Sequence, residues 1–309
     1  MNGVLVLDKP RGFTSHDVVA RVRRALRLKK AGHGGTLDPL ATGVLPLYLE
    51  EGTKLVAFNL EGTKEYRATM KLGQETDTLD SDGRVVREKE GFSCTLEAFE
   101  EALRDFRGAI RQIPPVFSAI KHRGRPLYQR ARAGERPEVP EREVMVHSLE
   151  VKGFSPPLAS LEITCGRGTY IRSLCADIGR RLGCGAHLVE LRRLRSGRFT
   201  LDHAVTLEEF SRDMEKGKIE ERILPLRDCV ELAGTIRVEE RAARKVCQGQ
   251  ALFLRDLPEK DAGSLRKGQK IGVLQEEGEL LAIAESQVDG SDGLPGDAHA
   301  LRVLRVFRP

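Results

Sequence analysis

The sequence predicts a mixed helix-and-strand fold in two parts, a larger N-terminal one and a small C-terminal one of β-barrel type. Its 309 residues exceed what most single cores organise. Residues 1–231 mix stretches of helical and of strand periodicity, whereas residues 232–309 hold only short apolar runs separated by turn residues. Hydrophobic residues make up 40% and charged residues 31%, enough for a packed core beneath a polar surface.

Residues 3–7 are an apolar run that stops at Asp8-Lys9-Pro10-Arg11-Gly12, so a strand leads into a loop. Thr14 or Ser15 then caps a helix with Val18, Val19, Val22 and Leu26 on one face and arginines on the other. Gly32-His33-Gly34-Gly35-Thr36-Leu37-Asp38-Pro39 is too rich in glycine for a stable regular element and reads as an ordered loop. From Lys64 to Leu72, Tyr66, Ala68, Met70 and Leu72 alternate with other residues, which predicts a strand with one buried face.

Leu96, Phe99, Leu103 and Phe106 mark a helix capped by Thr95 and stopped at Gly108. Residues 114–140 are rich in Pro, Arg and Lys with weak periodicity, a largely irregular basic insertion. Strands over 144–151 and 159–165 follow, then a helix with Ile171, Leu174, Ile178 and Leu182 inward, ended by Gly183. In the C-terminal part the apolar runs are 236–238, 251–254, 270–274, 280–284 and 301–307.

A net charge of +5 favours an anionic partner, and its clustering says more than its sum. Arg21, Arg23, Arg24, Arg27, Lys29 and Lys30 crowd one segment; Lys121, Arg123, Arg125, Arg130 and Arg132 a second; Arg192, Arg193, Arg195 and Arg198 a third. Each run alone reads as a solvated helix face, but three beside Gly-rich turns point to RNA or DNA. No apolar amphipathic anchor accompanies them, and no stretch approaches a bilayer span, so membrane insertion and export are not expected. The six cysteines are scattered without a C-x-x-C pair, as in reduced thiols of a cytoplasmic protein. Cys184 and His187 have helix-compatible spacing for metal ligands, but no second pair completes a site, so no metal is expected.

Asp38 precedes Pro39 in the most glycine-dense loop of the first half. Read alone it serves equally as a turn or cap residue and as a catalytic carboxylate, while Gly32, Gly34 and Gly35 would let a base or phosphate approach the main chain. Arg172 falls in the first turn of its helix, where a cation opposes the dipole; it is either a surface arginine whose head reaches water or one compensated by a carboxylate or phosphate nearby. Tyr66 shares the inward phase of its strand and, taken alone, is a core residue. His33, between glycines, is a turn residue, a base, a metal ligand or a stacking side chain. No Ser-His-Asp order, P-loop or dinucleotide fingerprint supports hydrolysis or nucleotide-dependent chemistry.

Gly3-Val-Leu-Val-Leu-Asp-Lys-Pro-Arg-Gly12 with Thr14-Ser15, followed by Gly32-His-Gly-Gly-Thr-Leu-Asp-Pro-Leu-Ala-Thr-Gly-Val-Leu-Pro46, resembles the TruB family of tRNA pseudouridine synthases. Lys64-Glu-Tyr66, Thr76-Asp-Thr-Leu-Asp80 with Asp82-Gly83, Gln112-Ile-Pro-Pro115 with Ser118-Ala119, Gly168-Thr-Tyr-Ile-Arg172 and Gly183-Cys-Gly-Ala-His187 continue the resemblance in order over residues 1 to about 200. The last third is similar to a small RNA-binding PUA domain in size and strand pattern.

The resemblance implies an α+β core on a mixed, largely antiparallel sheet, with a PUA-like barrel appended. It implies isomerisation of uridine 55 in the T loop of tRNA, with no metal, nucleotide or redox cofactor and no protein partner. Asp38 matches the nucleophile, Arg172 the residue that pairs with it and keeps it ionised, and Tyr66 the aromatic that packs on the target base. His33 matches a side chain that fills the space of the flipped nucleotide. Lys9, Pro10 and Leu191 match residues that shape the pocket, and the insertion carrying Lys121, Arg123, Arg125 and Arg130 would close over the RNA. A non-catalytic tRNA-binding or folding protein and a guide-RNA-dependent synthase subunit are the rival readings.

Overall fold

The computed structural model describes residues 1–118, 121–122, 125–132, 135, 139–290 and 293–308. Its largest element is a ten-stranded sheet. The path runs Ile223–Leu224, Gly3–Lys9, Thr42–Leu49, Ala186–Ser196, Lys64–Leu72, Leu158–Cys165, Arg142–Ser155, Gly108–Gln112, with Ala31–His33 and Phe199–Thr200 attached to its sides. Every pairing between these strands is antiparallel except one, the short parallel contact of Arg192 and Arg193 with Thr42 and Gly43. The sheet is therefore mixed and largely antiparallel, as the resemblance implied.

That parallel junction depends on Gly43. Its φ of +100° is a left-handed value, and a Cβ there would lie 2.2 Å from the Arg193 carbonyl oxygen, so only glycine lets the two strands approach. The strand Lys64–Leu72 alternates in burial as its sequence does. The helices Ser15–Ala25, Leu96–Leu103 and Ile171–Arg181 fall where predicted, the second tightening into a 3-10 turn over Arg104–Phe106 ahead of Gly108 and the third starting after Tyr170 without a side-chain cap. Thr14 and Asp17 form a reciprocal capping box, Thr95 accepts from the Ala98 N–H, and Gly183 takes a φ of +72°.

The structure corrects several expectations. The Gly-rich segment is not loop throughout, since Ala31–His33 pairs with Leu47 to Leu49 as an edge strand. The basic insertion is less irregular than its composition suggested: Lys121–His122 and Arg125–Pro126 form a short hairpin that leads into the helix Leu127–Arg132. Cys184 and His187 do not share a helix. His187 lies in the strand Ala186–Ser196, where its Nδ1 is 3.0 Å from the Gln74 carbonyl oxygen.

The C-terminal strands form a second sheet in the order Gly234–Arg237, Lys270–Leu274, Leu280–Ser286, His299–Val306, Leu252–Phe253. It packs on the helix Glu240–Cys247, which the sequence reading did not anticipate, around Val246, Ala284 and Leu301. A third core joins the two sheets: Val4, Val6, Val44 and Tyr48 from the first meet Leu274, Leu280, Ile283 and Phe307 from the second. Among the described residues no helix is long and apolar enough to cross a membrane.

Candidate active site

The loop that carries Asp38 is held from below by two side chains of neighbouring elements. Ser15, at the first turn of its helix, accepts from the Leu37 N–H at 2.8 Å and donates to the Leu37 carbonyl at 3.0 Å. Lys9, at the end of its strand and fully buried, donates to the carbonyls of Pro10 at 2.9 Å, Phe13 at 2.7 Å and Pro39 at 3.4 Å. Three carbonyl acceptors suit the three N–H bonds of an ammonium group. Burial nevertheless lowers the Lys9 pKa to about 8, with the Asp38 charge working the other way.

Asp38 meets Arg172 across the cleft. The Nη2 donates to Oδ1 at 3.2 Å, and Nε lies 2.9 Å from Oδ2, close enough for charge attraction but not aligned as a hydrogen bond. The rest of the guanidinium is also engaged: Nη1 donates to the Thr78 carbonyl at 3.0 Å and stands 3.5 Å from Asp80 Oδ2, while Nη2 donates to the Phe117 carbonyl at 2.9 Å. A buried arginine thus sits between two carboxylates. The Arg172 side chain is 3% exposed, whereas that of Asp38 keeps 32% exposure and so faces both its partner and open space.

Burial pushes the Asp38 carboxyl above its ordinary pKa; the Arg172 charge opposes this and the Asp80 charge adds to it. The sequence reading assigned Arg172 the task of keeping Asp38 ionised, and the guanidinium does act in that direction, against a larger desolvation cost. The carboxylate accepts from Arg172 rather than capping the turn, where the Ala41 N–H bonds the Asp38 main-chain carbonyl instead.

Asp38, Tyr66, Leu191, Gly34 and Gly35 line one cavity of about 280 Å³, together with Ser118 and Tyr170. This is near the lower end of small-ligand pockets, roughly 300 Å³, and suits a single base. Tyr66 is buried, with its hydroxyl proton held more tightly than usual by desolvation. Gly34 owes its missing side chain to packing, because a Cβ would come within 2.8 Å of the Tyr48 ring. His33 lies outside the cavity lining, with a buried, unpartnered Nδ1 and a pKa lowered by burial. Lys9 and Pro10 instead line a larger hollow of about 860 Å³ with Asp8, Phe13 and Arg21.

Of the basic candidates, Arg125 is exposed and Arg130 pairs with Glu135; the Lys121 side chain and all of Arg123 lie outside the described residues. The third arginine run is internal only at Arg193, since Arg192 and Arg195 are part-exposed and Arg198 is exposed. Arg193 is 1% exposed and donates to the carbonyls of Val44 and Gly35, Arg192 pairs with Asp8, and Arg195 pairs with Glu65. The sequence reading gave no site role to Asp80, Ser118 or Tyr170 and took Ser15 only as a helix-cap candidate, although all four stand inside motifs it singled out. A second acidic residue four positions after Thr76 was the available signal for Asp80.

An open-sided cavity with an arginine-held carboxylate, set on a mixed sheet, is a candidate enzyme site with a carboxylate aimed at a space of small-ring size. Residues 23–171 match the family model described as TruB family pseudouridylate synthase (N terminal domain), and residues 172–231 match the tRNA pseudouridylate synthase B C-terminal domain. A protein of Geobacter sulfurreducens named tRNA pseudouridine synthase B is 43% identical over 308 residues, 99% of this chain and 100% of its own. One of the same name from Syntrophus aciditrophicus is 44% identical, covering 99% of each chain. The crystal structure of a Cbf5-Nop10-Gar1 complex contains a chain 31% identical, with a TM-score of 0.73, covering 99% of this chain and 85% of that one. The chain belongs to the TruB family of pseudouridylate synthases.

Proposed function

We propose that this enzyme converts uridine 55 in the T loop of tRNA to pseudouridine, with Asp38 as the catalytic carboxylate. The observation that carries the reading is the Asp38–Arg172 pair: a carboxylate fixed at two points, one third exposed, on the wall of a base-sized cavity. The isomerisation breaks the glycosidic bond, turns the uracil and rejoins it through carbon. Attack on the ribose carbon, addition to the uracil and removal of a ribose proton all begin from such a group.

Arg172 holds the carboxylate in place, Tyr66 packs on the base, and Leu191 closes the opposite wall. A base normally stacked in the folded loop must swing out to enter, and His33, with its unpartnered nitrogen, takes the space it leaves. Lys9 and Pro10 set the height of the Asp38 loop. Gly34 and Gly35 leave room for the RNA backbone, and Lys121, Arg123, Arg125 and Arg130 close over the loop from the insertion. The catalytic part spans 1–231 and a PUA-like RNA-binding part 232–309. The reaction needs no cofactor, and the enzyme works without a protein partner in the cytoplasm, where its substrate is found.

The names of full-length relatives at more than 40% identity support tRNA as the substrate. The likeness to a chain in the structure of an H/ACA RNP bound to a substrate RNA favours a second reading, action within a ribonucleoprotein. Turnover of unmodified tRNA by the isolated chain decides between them.

The Asp38→Asn variant tests the chemistry. It keeps the shape and removes the charge, so folding and tRNA affinity should change little while the single-turnover rate falls by about 10⁴-fold or more. A folded variant within tenfold of the parent would eliminate the assignment.

A further inference from the structure

The polar side chains buried around the Asp38 cavity are nearly all committed to the protein. Lys64 Nζ donates to the carbonyls of Leu60 at 2.6 Å and Gly62 at 2.5 Å. Arg193 is spent on Val44 and Gly35 and stands beside the Tyr66 hydroxyl, and Thr169 donates to Gly166 at 3.2 Å. Ser118 is different. It lines the same cavity, is 5% exposed, and its hydroxyl has no aligned hydrogen-bond partner.

The hydroxyl of Tyr170 lies beside it, near enough to favour the phenolate, but no hydrogen bond of ordinary distance and angle joins the two. Leaving a buried hydroxyl unpaired costs stability, and native proteins seldom accept it without a use. The position is not loosely held either. The Ser118 N–H bonds the Val116 carbonyl at 3.0 Å, and the preceding carbonyl, that of Phe117, accepts from the guanidinium that holds Asp38. Tyr170 is fixed by two reciprocal bonds between its main chain and the Gln112 side chain, at 2.8 and 3.1 Å. The free hydroxyl and the Asp38 carboxylate are therefore set in one frame through Arg172.

We infer that Ser118 is a substrate-binding residue, its hydroxyl donating a hydrogen bond to a carbonyl oxygen of the target uracil while the base is in the cavity. This rests on the functional reading above. A uracil that leaves its sugar and turns must be held by its polar edge, since the stacking faces of Tyr66 and Leu191 do not fix its rotation. A cavity hydroxyl without a protein partner is suited to that task, and binding the base repairs its missing bond.

The test uses the full chain and synthetic T stem-loop RNA carrying uridine, 2-thiouridine or 4-thiouridine at the target position, read as single-turnover rate at saturating enzyme. Ser118→Ala should lower the rate on uridine about tenfold, as the loss of one buried hydrogen bond predicts. RNA affinity should be unchanged and the thermal midpoint unchanged or raised, because the variant loses an unpaired polar group. Sulfur accepts hydrogen bonds weakly, so on one of the two thio-substrates parent and variant should differ by less than about twofold.

A variant within twofold of the parent on uridine overturns the inference. So does a full penalty on both thio-substrates, or a rate loss matched by a lower thermal midpoint. Asp38→Asn run in parallel separates the two claims: an active Asp38→Asn protein refutes the functional reading, whereas an inactive one beside an unimpaired Ser118→Ala refutes only the role of Ser118.

Discussion

Arg172 between Asp38 and Asp80 is costly to desolvate, and Asp38 shares the burial. Asp38 has a pKa raised by burial, so the carboxylate is lost on acidification earlier than a solvated one would be. The rate should fall as pH drops through that raised value. Asp80→Asn removes a like charge and should move this acid limb to lower pH. At the other end Lys9 loses its proton near pH 8, leaving two N–H bonds for three carbonyls, so the rate should also fall as pH rises through about 8. Lys9→Met should abolish the basic limb. Single-turnover rates from pH 4 to 10 check both limbs, and a parent profile flat to pH 10 would refute the part given to Lys9.

At the scale of elements the site hangs from two central strands, Thr42–Leu49 and Ala186–Ser196, and from the junction between them. Gly43→Ala should destabilise the protein by about 3 kcal/mol, combining a left-handed backbone cost of about 1–2 with overpacking of about 1–3 against the Arg193 main chain. A urea midpoint unchanged from the parent would contradict this account of the junction. Neither central strand was legible in the sequence. Thr42–Leu49 is buried on both faces, so it shows no alternation, and it contains Gly43 and Pro46, which read as breakers.

Ala186–Ser196 was obscured by arginines that read as a solvated face, whereas Arg193 lies inside the sheet with its charge spent on carbonyls. Elements with regular apolar spacing were legible: the helix after Thr14 and the strand through Tyr66 keep their predicted phase, and the helix ended by Gly183 buries Ile171, Leu174 and Ile178 as predicted, although most of its other residues are buried as well. The Asp38–Arg172 pair was accessible only through the family's motif order. Nothing local in either segment says that they meet, and the same holds for Ser15 and Leu37.

Across the whole molecule the two sheets are bound by a shared core and by side-chain bonds to distant carbonyls, such as Lys54 Nζ to Val306 at 2.8 Å and Asn2 Nδ2 to Arg308 at 3.1 Å. Charge is distributed unevenly over this frame. Arg21, Arg23, Arg24, Arg27 and Lys29 are exposed, whereas much of the run at 192–195 is paired internally. Salt dependence should follow the first group. Changing Arg21, Arg23 and Arg24 to Gln should flatten the slope of log K for tRNA against log salt by roughly 0.7–0.9 for each phosphate no longer neutralised. An unchanged slope would remove that helix from the RNA footprint.

The guanidinium of Arg172 gathers groups that are remote along the chain: Asp38 is 134 residues away, Thr78 94 and Phe117 55. Contacts of such separation close large loops, whose entropy is offset only after the intervening strands have paired. The site is thus a product of the finished topology, and no fragment of the sheet can carry it. In refolding from denaturant, strand and helix signals should return before catalytic competence, with activity tracking the slowest phase. Stopped-flow circular dichroism beside a quenched activity assay would show the order, and simultaneous recovery at the earliest phase would contradict it.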